Sequence, residues 1–491
     1  MNARWARWSC AAIVVVWGAA AAHFATRDLP PGMHLDSPPQ SVPTRDVTFM
    51  DDITGADAYG HGFSSRDIFD AMLRNIGAAR SLVVLDCHLC TDLHRSAPDA
   101  IASLTPRASQ LVDALVAAKA AVPQLQVVVI ADPVNDLYGS WPAPELARLR
   151  AVGIEVVKAN LSILPDRNVL YSPPWRLLLK WWSPPDSGGG WLPNPYSDEG
   201  PWFTARAWAQ LANLKSSDRR VLITDDGHGA LTALAGTTEP AMANSTDTVT
   251  ALQVNGPAVA PLLVSELDLA HAFGWRGAVM VPRADAARPL AADPNALELR
   301  WLGEGAIRDA LLEHISAATG RDTIDIASDT LSERGVIAAL LGASHRGATV
   351  RMILDPHKSS SLWSSANQAV ASELIAASDG RIHVAWYRTH SEAFRAALIL
   401  IHGAGPTWMV TGSASLTRRD LGDYDLALDA VLSAPPAAPP VATAQAFFDT
   451  LWNDRGPPGI EYTADADTWT DPSQLRYWAY RLMEVLGISR T

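Results

Sequence analysis

The fold of this chain is decided by SSDRRVLITD, residues 216–225, where a charged triplet leads into an apolar run that ends in an acid. The apolar run is typical of a buried strand. Two longer stretches, RVLITDDGHGALTALAGTTEP at 220–240 and AALILIHGAGPTWMVTGSASL at 396–416, share one pattern. Each predicts a strand, a polar glycine turn, a second strand, and a glycine followed by a small hydroxyl residue. They are two copies of one unit, so the chain is an internal duplication.

The residues that precede each copy also repeat. In both halves, apolar periodicity predicts a helix, a strand, a helix and a strand in that order, and the last strand ends in Asp-Pro. These segments are 68–84, 111–131 and Asp132-Pro133 in the first half, and 306–319, 323–327, 335–343, 348–354 and Asp355-Pro356 in the second. The order is that of βαβ units, which predicts an α/β fold of two duplicated halves whose mixed sheets face one central cleft.

This pattern divides the chain into an N-terminal segment at 1–28, a first half at 29–290 and a second half at 291–491. The first half contains an insertion rich in Trp and Pro at about 160–205. A long irregular segment inside a domain is usually functional or a linker. The aromatic side chains of the insertion could lie at a membrane interface, cover the cleft or pack between the halves, and the sequence leaves these alternatives open.

The composition is that of a globular protein with a large core. Of 491 residues, 48% are hydrophobic and 19% are charged, which is enough apolar material to bury a substantial core. The net charge is −13, and no Lys/Arg-rich block is present that could neutralise a run of phosphates. We therefore expect no nucleic-acid partner.

The N-terminus resembles a targeting segment. Arg4 and Arg7 precede an apolar run from Trp8 to Ala22, which is typical of a secretory signal peptide or a short signal anchor. In either case we expect the body of the protein to be exported, to the periplasm or the extracytoplasmic face of the inner membrane. A buried N-terminal helix is the alternative.

The chain contains three cysteines, from which no disulfide framework can be inferred. Cys87-His88-Leu89-Cys90 forms a CxxC sequence that could bind a metal or cycle between redox states. No second CxxC or His pair at ligand spacing accompanies it, and the simpler interpretation is a pair of buried thiols at the end of a strand.

Several phrases resemble the phospholipase D superfamily, and in particular its bacterial cardiolipin synthases and phosphatidyltransferases, whose halves each carry HxKxxxxD followed by a Gly-Ser-x-Asn-like turn. The phrases are LPPGMHL, IFDAMLRNIGAAR, DPVNDLYG, VLYSPPWR, RGATVRMILDP, WYRTHSEAF, GSASLTRRDLGDYDL and YWAYRLMEVLG. In that family one His attacks phosphorus, the other His protonates the leaving oxygen, and the two Lys hold the phosphate charge. The resemblance implies no metal and no other cofactor.

The catalytic motifs themselves are altered. Aligned by its strand, the first motif has Asp218 in place of the His, Arg220 in place of the Lys, and Asp225 at the motif Asp. The second has Arg395 at the His, Ala397 at the Lys and His402 at the Asp. The accessory turns, 236–239 and 412–415, are also changed. By the resemblance, the phosphate-binding candidates are Arg220, Thr237, Ser413 and Ser415.

These replacements predict a catalytically impaired protein, a pseudoenzyme that binds an anionic phospholipid headgroup, a membrane surface or a protein partner. A guanidinium does not release a proton near neutral pH, so Arg395 cannot act as a general acid. Because the two motif His positions of the family face each other, we expect Asp218 and Arg395 to form an ion pair. Two alternatives stay open: an active phosphodiesterase or phosphatidyltransferase that uses Asp218 with His390 or His402, and a structural protein of the cell envelope.

Overall fold

The computed structural model describes residues 3–30, 32–57, 62–92, 107–182, 189–196, 200–240, 246–280, 296–356, 366–390, 392–456, 459–469, 471 and 473–486. The predicted boundary at 290/291 lies outside these residues. The helices are α1 (Ala3–Ala25), α2 (Asp67–Ala78), α3 (Arg107–Ala121), α4 (Pro144–Ala151), α5 (Ser172–Leu177), α6 (Ala205–Leu211), α7 (Ala260–Ala272), α8 (Gly305–Ala317), α9 (Arg334–His345), α10 (Asn367–Ala377), α11 (Pro439–Trp452) and α12 (Gln474–Leu486).

The strands alternate with these helices along both halves. They are β1 (Gln40–Val42), β2 (Val47–Asp52), β3 (Thr54–Ala56), β4 (Gly62–Ser64), β5 (Leu82–Cys87), β6 (Gln126–Ala131), β7 (Glu155–Lys158), β8 (Val221–Asp225), β9 (Leu231–Gly236), β10 (Val249–Asn255), β11 (Leu297–Gly303), β12 (Thr323–Ser328), β13 (Thr349–Leu354), β14 (Ile382–Tyr387), β15 (Ala397–His402), β16 (Thr407–Gly412), β17 (Leu428–Ala434) and β18 (Thr463–Asp465).

Two mixed sheets have the same internal topology, which confirms the predicted α/β duplication. The first has the order β2-β10-β9-β8-β5-β6-β7, and the second has the order β1-β11-β17-β16-β15-β12-β13-β14-β18. In each sheet three parallel strands, β5-β6-β7 or β12-β13-β14, are followed by an antiparallel series that begins with β8 or β15. The strand pair predicted from 220–240 therefore corresponds to the one predicted from 396–416. One detail was not predicted: β1, from the first half, pairs with β11 in the second sheet.

The two halves share a buried apolar core. Ile223 and Ala233 from the first sheet belong to the same cluster of buried side chains as Leu400 and Met409 from the second. Apolar burial of this kind is the main term that stabilises a fold. Because β8 and β15 both contribute to this core, the residues that precede these strands are held in fixed positions.

The aromatic side chains of the insertion divide into two groups. Trp175 and Phe203 are buried, whereas Trp181, Trp182 and Trp191 are each at least 70% exposed. The insertion therefore both packs against the body and presents aromatic surface to solvent. At the N-terminus, α1 packs against α5. Among the described residues, no helix is long and apolar enough to cross a membrane.

The CxxC sequence forms a disulfide. Cys87 is the last residue of β5, and the short loop that follows brings Cys90 to a Cα–Cα distance of 6.0 Å, within the range of disulfides. The interpretation of Cys87 and Cys90 as buried thiols was therefore wrong. In the described part of the chain, no group of three His, Cys, Asp or Glu side chains is placed to hold a metal ion.

Candidate site at the junction of the halves

The two altered motifs meet where the halves join. The N–H of Asp218, three residues before β8, donates to the carbonyl of Leu426 in the second half at 2.8 Å. The N–H of Arg395, two residues before β15, donates to the carbonyl of Thr248 in the first half at 2.9 Å. Each motif is thus fixed by the backbone of the other half, as a duplicated fold with one shared site requires.

A chain of ion pairs occupies this junction. Arg220 Nη2 lies 2.8 Å from Asp218 Oδ2 and 2.9 Å from Glu239 Oε1. Arg395 Nε lies 2.7 Å from Asp247 Oδ2, and its Nη1 lies 3.8 Å from Glu239 Oε2. Glu239 therefore stands between the two arginines, and charge alternates from Asp218 to Asp247 across the junction.

The predicted ion pair between Asp218 and Arg395 is not formed. Within the described part of the chain, the ion pair of Asp218 is with Arg220, and those of Arg395 are with Asp247 and Glu239. The prediction was wrong because it paired only the two His positions. The last residue of the altered accessory turn, Glu239, carries a carboxylate that reaches both guanidinium groups instead.

Electrostatics keeps both arginines charged. Burial alone would lower the pKa of Arg220, but Asp218 and Glu239 outweigh that effect and raise it. Arg395 follows the same pattern, with burial opposed by Glu239 and Asp247, and its pKa is also raised. Burial raises the pKa of Asp247, although the Arg395 guanidinium opposes that shift. No group in this chain of ion pairs is an imidazole, the side chain whose charge changes near neutral pH.

A small cavity lies on the first-half side of these groups. A cavity of about 20 Å³ lies beside Arg220 and Glu239, and His88 and Asp86 also line it. That volume holds about one water molecule.

His88 was not identified from the sequence as a residue of this site. Its Nδ1 lies 4.0 Å from Asp132 Oδ2, and its side chain is 20% exposed. The same carboxylate accepts the N–H of Ser217 at 2.7 Å, which links the loop after β5 to the first motif. One sequence signal could have placed His88 there. Cys87 is the last residue of one predicted strand and Asp132 follows the next, and when two such strands are parallel the residues after them meet at one edge of the sheet.

Arg219 lies between two residues of the junction but points into the interior. Its guanidinium donates to Glu304 Oε1 at 2.8 Å and to Glu266 Oε1 at 3.1 Å, and all three side chains are fully buried. Asp86, also buried, adds a third carboxylate to this group, and burial raises its pKa well above the usual range. Because Glu304 belongs to the second half, Arg219 joins the halves beneath the candidate site.

Asp225, the motif residue retained in this sequence, is the last residue of β8, at the opposite end of the strand from Asp218 and Arg220. Its carboxylate accepts N–H groups from Arg80, Ser81, Leu82 and Gly227 at 2.8 to 3.2 Å. Burial opposes the shift, but these backbone donors lower the pKa of Asp225. These hydrogen bonds connect the end of β8 to the start of β5.

The two histidines considered from the sequence have other partners. His402 is the last residue of β15, and its Nε2 lies 3.1 Å from Asp325 Oδ2. His390 lies beside Glu392, with Nδ1 3.4 Å from Oε1. Neither histidine forms an ion pair with Asp218 among the described residues. Their assignment as acid or base stays a prediction.

The predicted phosphate-binding hydroxyls contact the protein itself. Thr237 accepts the N–H of Thr250 at 3.1 Å through its hydroxyl, and its carbonyl accepts Arg220 Nη1–H at 3.0 Å. The Ser413 hydroxyl accepts the N–H of Leu428 at 3.0 Å. The N–H of Ser415, in the same turn, donates to Asp420 Oδ2 at 3.1 Å. Their role in binding phosphate is untested by this geometry.

Comparison with known proteins bears on both the sequence and the fold. Residues 311–452 match the family described as cardiolipin synthase, PLD-like domain. The crystal structure of phosphatidylserine synthase from Haemophilus influenzae Rd KW20 superposes with a TM-score of 0.54 at 8% identity, covering 95% of this chain and 99% of that one. At that identity the match establishes a common fold.

Two further solved structures superpose less well. Polyphosphate kinase from Porphyromonas gingivalis gives a TM-score of 0.45 at 12% identity, over 90% of this chain and 53% of the kinase. Nuc from Salmonella typhimurium, a phospholipase D family member, gives 0.25 at 16% identity, over 32% of this chain and 93% of Nuc. No curated protein sequence matches the chain.

Proposed function

We propose that this chain is a non-catalytic member of the phospholipase D superfamily that associates with a membrane and binds anionic phospholipid; the match of residues 311–452 to a cardiolipin synthase, PLD-like domain and the fold shared with a phosphatidylserine synthase support the assignment. One observation carries the loss of catalysis: Asp218 and Arg395 stand at the two His positions, and a continuous set of ion pairs through Glu239 occupies the place where those groups would act.

The chemistry of these side chains supports the proposal. Transfer of a phosphoryl group through a covalent intermediate needs one unprotonated nucleophile and one proton donor. Arg395 holds its proton because Glu239 and Asp247 raise its pKa. Asp218 is held by two contacts from Arg220, which engage both of its oxygens. An attack on phosphorus by Asp218 would require Arg220 to withdraw first.

Several features support association with a membrane on the exported side. The N-terminal segment has the composition of a signal peptide or anchor, and its apolar side chains from Ile13 to Val16 are more than half exposed. The disulfide between Cys87 and Cys90 suits an oxidising compartment. We place the protein in the periplasm or at the extracytoplasmic face of the inner membrane, and a protein partner at that surface is compatible with the same location.

The proposal is tested by turnover. The natural chain, Asp218→Ala and the control Asp226→Ala, which removes an exposed acid just after β8, are incubated with bis(p-nitrophenyl) phosphate, phosphatidylglycerol and cardiolipin. We expect no product above the protein-free blank from any of the three. Turnover by the natural chain and by Asp226→Ala that disappears in Asp218→Ala would refute the loss of catalysis.

One observation favours a second candidate function, an active phosphodiesterase or phosphatidyltransferase with a nonstandard centre. His88 supplies an imidazole to the same small cavity as Arg220. In such an enzyme His88 would be the proton carrier, with Asp132 as its neighbour at 4.0 Å. Adding His88→Ala to the same assay distinguishes the candidates: activity that is lost in His88→Ala supports the enzyme, and equal absence of product in all variants supports the non-catalytic chain.

A further inference from the structure

A second cavity lies in the insertion, away from the altered motifs. It has a volume of about 330 Å³, which is within the range of ligand-binding pockets. Five cationic side chains line it, and we call it the cationic pocket: Lys158, Arg176, Lys180, Arg206 and Lys215. They come from segments up to 57 residues apart, so the fold and not a local run of charge assembles them.

Three of the five cations of the cationic pocket form ion pairs with two acids. Asp166 pairs with two of them: its Oδ2 lies 2.6 Å from Arg176 Nε, and its Oδ1 lies 2.6 Å from Lys215 Nζ. Asp136 serves Lys158, whose Nζ lies 2.7 Å from Oδ2. In the described part of the chain, no carboxylate lies within 4.0 Å of the remaining lysine, Lys180.

The titration of these lysines agrees with an excess of positive charge. Burial and the nearby guanidinium groups of Arg176, Arg206 and Arg27 lower the pKa of Lys180. Burial lowers the pKa of Lys215 to about 8, even though Asp166 opposes that shift. An anion placed among these groups would relieve their mutual repulsion.

Exposed apolar residues lie close in sequence to Lys180, which lines the cationic pocket. Lys180 is flanked in sequence by Leu177 and Leu178 on one side and by Trp181 and Trp182 on the other, and we call these four residues the Trp rim. The exposed fractions are 44%, 70%, 75% and 70% in that order. Exposed Trp side chains next to cations are typical of protein surfaces at the headgroup level of a bilayer.

The N-terminal helix ends at the same surface. The N–H of Asp166 donates to the carbonyl of Phe24 at 2.8 Å, and the guanidinium of Arg176 lies 4.4 Å from the centre of the Phe24 ring. The exposed apolar side chains of α1, from Ile13 to Val16, therefore belong to the element that adjoins the cationic pocket. The helix that carries the exposed apolar side chains therefore ends beside Asp166 and Arg176, two residues that line the cationic pocket.

We propose that the cationic pocket binds the headgroup of an anionic phospholipid while the Trp rim inserts into the interface of the bilayer. This inference rests on the proposed membrane association and assigns it to the insertion instead of the old catalytic junction. Charge complementarity selects the ligand: the pocket offers to a phosphate the ammonium of Lys180, which has no carboxylate within 4.0 Å among the described residues, and the Trp rim offers aromatic rings to the acyl boundary.

Vesicle co-sedimentation tests the proposal with the full chain. Vesicles of phosphatidylcholine alone are compared with vesicles of equal parts phosphatidylcholine and phosphatidylglycerol. We expect the natural chain to sediment with the anionic vesicles only. Lys180→Glu, which changes the local charge by two units, should weaken that binding about 25-fold, at about fivefold for each unit of charge. Lys180→Arg keeps the charge and should bind like the natural chain.

Controls separate the cationic pocket from general surface charge. Arg45→Gln removes a cation whose side chain is 78% exposed outside the pocket, and Val264→Ala trims an exposed apolar side chain on α7. Both should bind normally. Trp181→Phe/Trp182→Phe should show less of the additional quenching of Trp fluorescence that brominated phosphatidylcholine causes when it replaces the ordinary lipid than the natural chain does. Circular dichroism confirms that each variant is folded.

The outcomes distinguish the two proposals. If the natural chain sediments with neither kind of vesicle, the proposed membrane association fails. If it binds anionic vesicles and Lys180→Glu binds equally well, the association holds and the assignment to the cationic pocket is overturned. Equal binding of the natural chain to neutral vesicles would also overturn that assignment, because a phosphate-binding pocket requires the anionic lipid.

Discussion

Arg220 and Arg395 at the junction of the halves both have carboxylates within 4.0 Å, whereas among the described residues Lys180 in the cationic pocket has none. The cavity beside Arg220 has a volume of about 20 Å³, and the cationic pocket has about 330 Å³. The number of cations in a region therefore does not by itself identify an anion-binding site. What matters is whether the protein has already supplied their counter-ions, and at the junction it has.

The same difference predicts opposite costs for removing a charge. At the junction, loss of one partner leaves the other buried and unpaired, so the folded state is destabilised. At Lys180 in the cationic pocket, loss of the cation relieves repulsion, so the cost falls on ligand binding instead. Four predictions test this contrast.

The largest effect is expected beneath the junction. Arg219→Met leaves Glu266, Glu304 and Asp86 without their guanidinium in a fully buried site. We expect the free energy of unfolding to fall by about 3–5 kcal/mol, the usual cost of breaking a buried ion pair by removing one partner. Urea denaturation followed by circular dichroism measures it. Arg45→Met, the exposed control, should change the free energy of unfolding little. A loss below about 1 kcal/mol in Arg219→Met would contradict the claim that buried ion pairs stabilise this region.

A smaller loss is expected at Arg220, whose side chain is 10% exposed. Arg220→Met leaves Asp218 and Glu239 facing one another without a cation between them, and we expect a loss of about 3 kcal/mol. The double variant Asp218→Leu/Arg220→Met removes the unpaired carboxylate and should be more stable than Arg220→Met alone by at least about 1 kcal/mol. If the two substitutions simply add, these groups are not coupled as the distances indicate.

The third prediction concerns Asp429, a buried acid that forms no ion pair with any of the residues the structure describes. Asp429 lies on β17, accepts the N–H of Ala414 at 3.1 Å, and burial raises its pKa from 3.8 to about 7. The folded chain therefore keeps a proton that the unfolded chain releases between about pH 4 and pH 7. Its contribution to stability is full below pH 4 and is lost as the pH rises to about 7, by about 1.4 kcal/mol per pH unit for one proton.

Burial also raises the pKa of Glu304 to about 7 and that of Asp420 to about 6, so their contributions have the same sign. Urea denaturation at a series of pH values between 5 and 7 measures the combined slope. Asp429→Asn should make the decline shallower, by about 1.4 kcal/mol per pH unit. Identical slopes in the two chains would contradict the assignment of a proton to Asp429.

How far the sequence could predict these features depends on which contacts are local. The strands β8 and β15 were predictable because their apolar runs repeat, and the repeat also identified Asp218, Arg220 and Arg395 as the altered positions. The role of Glu239 was not predictable, because motif spacing identifies positions at a site and does not show which acid reaches which arginine. The disulfide between Cys87 and Cys90 depended likewise on loop geometry.

The cationic pocket left even less trace in the sequence. Lys158, Lys180 and Lys215 are separated by 22 and 35 residues, so no window of sequence contains the cluster. The Trp-rich composition of the insertion did signal a surface feature, but three alternatives remained, and the structure shows that some of its aromatic residues pack while others are exposed. Long-range assembly of charge is what sequence periodicity does not record.

The smallest effect on stability is expected at Lys180 itself. Lys180→Gln loses a contact in which Nζ lies 5.4 Å from the centre of the Trp181 ring, and such contacts contribute about 0.5–1 kcal/mol at exposed sites. It also removes the repulsion from Arg176 and Arg206 that helps to lower the pKa of this lysine. Because the two effects oppose one another, we expect the free energy of unfolding to stay within about 0.5 kcal/mol of the natural value. Urea denaturation at neutral pH measures it, with Lys180→Arg as the matched control that retains the charge. A loss as large as that of Arg220→Met would mean that Lys180 is a balanced structural cation, and the contrast between the two regions would then be false.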